Sequence, residues 1–360
     1  MNAYITGIGI YSSLGSNVEE VVSALRDERS AIVSDDNLIL AGFNSPYCAP
    51  VEEPCIDSLP NSRRHRALLT QAGRYAYVAA REALTMAGQE DLLSGHSSRN
   101  VGVIVSNDIV AQPIVTVHKV MSEQCDTDYL SPRDAFLSLD SNVSVALSQI
   151  FGIRGLSLTV GAACSGGLHA VALADSLVRQ GLLDGCLVVG SQETGAISWC
   201  AFDTLATGAV PSGGAAAIYI ESELHYRGHS NGCLARILGY GCTTGPSPIT
   251  PDFFSEQRAM RLALDAARCK PKDIALVNGH LTGTRVGDEI EHKALEAVFG
   301  SNVPKTLATK KWHGHELAMS GVSQIVETIA LNRGCSGLHV LANAFGFGGN
   351  NASVVFKILS

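Results

Sequence analysis

Short apolar runs alternate along the chain with longer stretches in which apolar side chains return every three or four residues. The first pattern reads as strands buried within a sheet and the second as amphipathic helices laid over it. Strands are predicted at residues 4–10, 101–106, 156–160, 186–190, 216–220, 234–240, 274–278 and 352–358. Helices are predicted at 18–26, 68–87, 142–150, 165–180, 255–267, 288–298 and 314–332. The alternation implies an α/β protein whose central sheets are covered by helices. Two strand–junction–helix units look alike, "LSLTVGAACSGGLHAVALADSLVRQG" and "TLATKKWHGHELAMSGVSQIVETIALNRG". They suggest a duplicated architecture, residues 1–230 and 231–360, with each helix closed by glycine.

Length and composition narrow the class. At 360 residues the chain can bury a sizeable core, and 46% hydrophobic with 17% charged residues fits a compact soluble protein. The net charge of -8 argues against nucleic-acid binding through overall charge. One local basic stretch, "RRHR" at Arg63, Arg64, His65 and Arg66, reads either as a solvated helix start or as a binding patch. Ten cysteines occur without a C-x-x-C pair or zinc-like spacing, which points to reduced thiols and a cytoplasmic setting. The opening "MNAYITGIGIYSSLG" reads as a first strand rather than a signal peptide, and no apolar run is long enough to span a membrane.

Candidate chemistry gathers at junctions after apolar runs. In "TVGAACSGGLHAV", Cys164 stands where a strand meets a glycine-rich helix start. A thiol there meets unpaired N–H groups and the positive end of the helix dipole, which favour the thiolate and suit it to carry an acyl group as a thioester. The alternative is a buried cysteine in a tight turn. His280 in "NGHLTGTRVGD" and the Lys310/His315 pair in "TKKWHGHELAMSG" lie at two further junctions, so sheet packing can bring a Cys/His/His cluster together. Read alone, His280 is better explained as a hydrogen-bonded core or turn histidine. "HGHEL" lacks the H-E-x-x-H spacing of a helical metal site, and no metal is expected. The glycine-rich "NAFGFGGNNASVVF", residues 343–356, lacks the spacing of a phosphate loop but suits a backbone N–H aimed at an oxyanion.

Taken in order, "YITGIGIYSSLG", "AACSGG", "GHLTGTRVGDEIE", "TKKWHGHELAMSG" and "NAFGFGGNNAS" resemble the β-ketoacyl-acyl carrier protein synthases, the condensing enzymes of fatty acid and type II polyketide assembly. The resemblance runs nearly end to end. It implies a thiolase-like five-layered α-β-α-β-α sandwich of two duplicated halves, working as a dimer. It also implies Cys164 as nucleophile, His280 and His315 acting on the malonyl unit, and Lys310 organising the site electrostatically. Backbone N–H groups of Cys164 and Phe347 would form the oxyanion hole, with Phe347 also gating. The substrates would ride on the phosphopantetheine of an acyl carrier protein, with no further cofactor, and Arg63, Arg64 and Arg66 would dock that carrier.

The chain also departs from the family pattern. In "FDTLATGAVPSGGAA", residues 202–216, the family's Arg, Asp, Phe and Glu are replaced by Ala206, Thr207, Ala209 and Gly213. Loss of that glutamate should leave Lys310 differently paired. Leu281 replaces the glycine after the first histidine, narrowing the space there, and Asn350 replaces a threonine. The altered stretch resembles chain-length factors, the non-catalytic partners of type II polyketide ketosynthases, although those usually lack the cysteine. Three readings follow: a condensing enzyme of polyene-like or other secondary assembly, a chain-length-factor-like subunit of a heterodimer, or another thiolase-fold acyltransferase.

Overall fold

The apolar runs become strands of one ten-stranded sheet system, as seen in a computed structural model that describes residues 2–57, 59, 62–97, 99–204, 208–226 and 232–360. In chain order the strands are β1 (Ala3–Ser12), β2 (Val101–Ser106), β3 (Ser157–Val160), β4 (Gly185–Gln192) and β5 (Gly214–Ser222), then β6 (Ala235–Thr244), β7 (Leu276–Asn278), β8 (Lys305–Leu307), β9 (His339–Phe345) and β10 (Asn350–Ile358). Their spatial order is β3-β2-β4-β5-β1 followed by β6-β10-β9-β7-β8. Each set of five has the same connectivity, with three parallel strands followed by two antiparallel ones. The duplication expected from two sequence units is therefore complete at the level of topology. The two first strands meet at the pairing of Ile5 with Ala235.

The covering helices repeat as well. They are α1 (Val18–Arg26), α2 (Gln71–Met86), α3 (Asn142–Ile150), α4 (Gly166–Arg179), α5 (Phe253–Ala267), α6 (Arg285–Phe299) and α7 (Val322–Leu331). Apolar residues of α1, α4 and α7 fill the space between the two sheet halves, whose facing side chains include Ile8, Ile218, Val340 and Val354. The outer face of the first half is closed by α2 and α3, and that of the second by α5 and α6. The result is the five-layered thiolase-like sandwich.

The paired glycines of "TGIGI" serve this packing. A Cβ on Gly7 or Gly9 would lie 1.9 or 2.1 Å from a carbonyl oxygen of α2, at Ala83 and Ala79. Gly239 and Gly241 of β6 stand in the same relation to α5, at 2.3 Å from Ala267 N and 2.2 Å from Ala259 O. Alanine-faced helices thus ride directly on glycine-bearing strands in both halves.

Some predicted elements are corrected. The helix expected over 314–332 occupies only Val322–Leu331, because Gly314 and Gly321 take positive φ values of 76° and 86° and the chain between them is a buried turn. Strand β9 escaped notice because Asn343 interrupts its apolar run; that amide is buried and bonded to Ser353 Oγ at 2.8 Å and Glu291 Oε1 at 3.1 Å. Helix Ala111–Gln124 buries no residue, so it leaves no apolar stripe to read. The division expected at residue 230 falls among residues 227–231, outside the described ones. No helix among the described residues is long and apolar enough to cross a membrane.

Candidate active site

Strand β3 delivers the chain to a short turn, Ala163–Ser165, from which α4 starts. Ala163 takes φ 48°, a left-handed conformation that an L-residue adopts at a cost, immediately before Cys164. Two neighbours hold this turn. The Asp108 carboxyl accepts the N–H groups of Ala162 and Ala163, and Ser165 Oγ donates to Ala162 O at 2.7 Å. Burial pushes Asp108 up to about 6 against those two hydrogen bonds. Asp108 was not singled out from sequence; its only signal is a polar "SND" directly after β2, at the same sheet end as Cys164.

The second half supplies the partners. His280 follows β7, while Lys310 and His315 follow β8. His315 Nε2 lies 3.1 Å from Cys164 Sγ. The His280 and His315 rings meet edge to face with centroids 5.3 Å apart, and His280 also packs on Phe345. Backbone contacts fix both histidines. Glu291 on α6 accepts the N–H of His280 and of Leu281, each at 2.9 Å, and His315 N donates to Val210 O at 2.6 Å. Sequence reading therefore named three side chains that the fold brings together, and missed Glu291, one of four acidic residues on α6 with nothing in the sequence to set it apart.

The protonation state differs from the thiolate expected at a helix N-terminus. Burial pushes the Cys164 thiol up to about 12, and Asp108 adds to this; Lys310 and the backbone N–H groups of Cys164 and Phe347 pull the other way without prevailing. Burial and the nearby Lys310 charge hold both His280 and His315 well below the usual histidine range. The resting pair is a neutral thiol in contact with a neutral imidazole.

Lys310 is buried, with Nζ making no hydrogen bond among the described residues. Burial lowers its pKa, while the carboxylates of Glu316, Glu327 and Glu291 support its charge. His313 stands among the same groups, with Nδ1 3.3 Å from Glu316 and Nε2 3.1 Å from Glu327. Gly213 brings no carboxylate to this group, and a Cβ there would lie 2.6 Å from Thr194 Cγ2 and 2.7 Å from Gln192 O. Leu281 takes φ 23°, so the residue replacing glycine is strained as well as bulky. Ala206 and Thr207 lie outside the described residues. Among the described residues two groups of donors are spaced to bridge an ion, each within 4.8 Å: Cys164 with His280 and His315, and His313 with Glu316 and Glu327.

A cavity of about 420 Å³ is lined by Cys164, His280, His315, Phe345 and Phe347, with Ala209, Thr282 and Glu256 in its wall. The backbone N–H groups of Cys164 and Phe347 both face the Cys164 sulfur. Arg63, Arg64 and Arg66 sit on the exposed helix Ser62–Arg66 and do not line this cavity; Arg66 pairs with Asp57 at 2.6 Å. Asn350 opens β10 beside the glycine turn, its carbonyl accepting Gly346 N at 2.7 Å.

Known proteins share both sequence and shape with the chain. The family described as "Beta-ketoacyl synthase, N-terminal domain" matches residues 3–224, and "Beta-ketoacyl synthase, C-terminal domain" matches 234–335. The chain is 26% identical to 3-oxoacyl-[acyl-carrier-protein] synthase 1 of Escherichia coli strain K12, covering 99% of each. It is 27% identical to the enzyme of the same name from Haemophilus influenzae, covering 98% of each. A beta-ketoacyl synthase from Burkholderia phymatum superposes with TM-score 0.88 at 25% identity over the full length of both chains. The ishigamide ketosynthase/chain length factor shares the fold with TM-score 0.87 at 23% identity, covering 100% of this chain and 99% of that one. The matched segments span most of the molecule, including the junctions that carry Cys164, His280, Lys310 and His315, and the chain belongs to the beta-ketoacyl synthase family of acyltransferase-type condensing enzymes.

Proposed function

We propose that the chain performs a decarboxylative Claisen condensation, joining an acyl group carried on Cys164 to a malonyl unit delivered by an acyl carrier protein. The observation that carries this reading is the 3.1 Å contact of His315 Nε2 with Cys164 Sγ beside His280, at the edge of a cavity. An acyl thioester enters, the thiol proton passes to His315 Nε2, and the sulfur attacks the carbonyl. The oxyanion is met by the N–H groups of Cys164 and Phe347. The proton then goes to the departing pantetheine sulfur, which leaves both imidazoles neutral.

When malonyl carrier protein follows, neutral His280 and His315, the latter now with its ring proton on Nε2, donate to the thioester oxygen as CO2 leaves. The enolate carbon attacks the Cys164 thioester carbonyl, the C–S bond breaks, and the departing Cys164 sulfur takes a proton from solvent to return as the thiol. Lys310 keeps the imidazoles unprotonated, so each remains a donor that does not trap the enolate as an ion pair. The chemistry uses no metal or redox cofactor. Arg63, Arg64 and Arg66 serve to dock the acidic carrier, Phe347 serves as the gate, and the enzyme works as a dimer in the cytoplasm in fatty acid or type II polyketide assembly.

A second reading, a chain-length-factor-like subunit, is favoured by Gly213 standing where the family carries a glutamate. Intact-protein mass after incubation with acyl carrier protein thioesters separates the two. Acylation that disappears in Cys164→Ala, followed by extension with malonyl carrier protein, supports the condensing enzyme. Activity appearing only with a second ketosynthase subunit, and unaffected by Cys164→Ala, supports the partner reading and overturns the first.

A further inference from the structure

Four carboxyls line the cavity, and they differ in what they already do: Asp252 accepts Ser255 N at 2.8 Å and Asp288 accepts Gly283 N at 3.2 Å. Glu291 is engaged: it accepts the N–H groups of His280 and Leu281 and the Asn343 amide. Glu256, in the first turn of α5, is 1% exposed and its Oε2 is buried with no hydrogen-bond partner among the described residues. It does not cap the helix, because Asp252 Oδ2 accepts Ser255 N at 2.8 Å in that role. No cation compensates it either. The charges facing it are Glu291 from α6 and Asp252 at the head of its own helix; among the described residues the strands under α5 add no third. A carboxylate buried between two others, with nothing donating to it, is expensive as an anion. Burial, reinforced by Glu291 and Asp252, accordingly pushes Glu256 up to about 9. At neutral pH it is a carboxylic acid, and its O–H is an unspent hydrogen-bond donor.

We propose that Glu256 is a specificity-determining residue of the thioester cavity, donating a hydrogen bond from its neutral carboxyl to an uncharged carbonyl or hydroxyl oxygen of the bound substrate. The inference rests on the cavity being the thioester site. The acceptor belongs either to an amide of the pantetheine arm or to an oxygenated acyl chain, and both present the same chemistry.

The test measures rates of Cys164 acylation, read by intact mass, for wild type, Glu256→Ala and Glu256→Gln. The probes are octanoyl pantetheine, 3-hydroxyoctanoyl pantetheine and octanoyl ethanethiol, the last without amides. Loss of the donor should slow the relevant probes by about tenfold in Glu256→Ala, the scale of one hydrogen bond. Glu256→Gln, which keeps a neutral donor, should stay within about twofold of wild type on the same argument. A deficit with both pantetheine probes but not with the ethanethiol thioester assigns the acceptor to the arm. A deficit confined to the 3-hydroxy probe assigns it to the acyl chain.

Relative to Glu256→Gln, wild type should also lose rate as pH rises through about 9, where the acid ionises. Equal rates for wild type and Glu256→Ala on every probe, or a change in melting temperature with all probes slowed alike, would mark a merely structural carboxyl and overturn the proposal. If wild type is acylated by none of the probes, the thioester reading itself fails and takes the proposal with it. That outcome is distinct, because it appears without any mutation.

Discussion

Cys164 and His315 are held neutral by the same cause, removal from water, even though they touch. A thiol pushed up to about 12 beside an imidazole held low reacts only through its small thiolate fraction. Alkylation of Cys164 by iodoacetamide should therefore climb steadily, about tenfold per pH unit, from neutral pH to beyond pH 10. A plateau near neutrality would reveal a thiolate–imidazolium pair and refute the neutral resting state. The cluster behind Lys310 makes a prediction about stability. Burial alone would lower His313, but Glu316 and Glu327 carry it up to about 9, above the ordinary 6.5. A group raised on folding adds stability that is fully present below its unfolded pKa and lost as pH rises through its folded one. Glu316, raised by burial to about 7, acts in the same direction over pH 4.5 to 7. Wild type should then lose stability between pH 6.5 and 9, by an amount on the order of 3 kcal/mol, and His313→Gln should flatten that segment of a melting-temperature profile. An unchanged slope in the variant would remove the cluster from the account. Among these residues, Cys164, His280, Lys310 and His315 were legible because each reactive type stands at a junction after an apolar run. Asp108, Glu291 and the role of the His313 cluster were not, because they depend on burial and on contacts that no motif spacing announces, such as Asp108 with Ala162 and Glu291 with Asn343.

At the scale of elements, the site exists because two equivalent strand–helix junctions face each other. Helix α4 begins at Gly166 after Cys164, and α7 begins at Val322 after the His315 turn. Their starts touch: a Cβ on Gly167 would lie 2.1 Å from Ser320 O and 3.0 Å from Val322 N. Nothing there is a flexible side chain that could swing aside. Gly167→Ala must separate the two helix starts, costing about 1–3 kcal/mol as overpacking usually does, and must pull Cys164 away from His315. Urea unfolding should show the lower midpoint, and acylation should fall further than stability alone accounts for. A variant that unfolds like wild type would mean the backbone yields elsewhere. Much of this layer was readable in advance. Most strands and helices were set by apolar period, and the doubled strand–junction–helix unit pointed to the duplication. What could not be read was the buried turn before α7. Its residues are as apolar as a helix, and the positive φ values of Gly314, Leu317 and Gly321 show that the chain changes direction there.

The sheet ends in an edge strand in each half, β8 in the second and β3 in the first. Strand β3 ends the first half and pairs only with β2, in parallel, with Ser157 and Leu158 exposed. Parallel strands are ordinarily covered on both faces, and a bare edge is a template for pairing with another chain. Here Leu156 and Leu158 are 38% and 37% exposed on the strand that leads to Cys164. The same half also carries the helix Ala111–Gln124, which buries nothing and shows Ile114, Val115 and Met121 to solvent. Apolar edge and apolar helix together make the kind of surface that a second subunit closes, and a two-fold pairing of edge strands would do so with one patch used twice. Light scattering should give the chain alone a mass of twice its 37.8 kDa, and Leu158→Lys should shift it to the monomer with loss of acylation at Cys164, since the turn is continuous with that edge. If the chain is instead monomeric until a related ketosynthase subunit is added, and Leu158→Lys then blocks the mixed pair, the same edge serves a heterodimer and the chain-length-factor reading gains. A monomer that acylates Cys164 at the wild-type rate would show that neither partner is needed to hold the turn, and the edge would then have to be explained by something other than assembly.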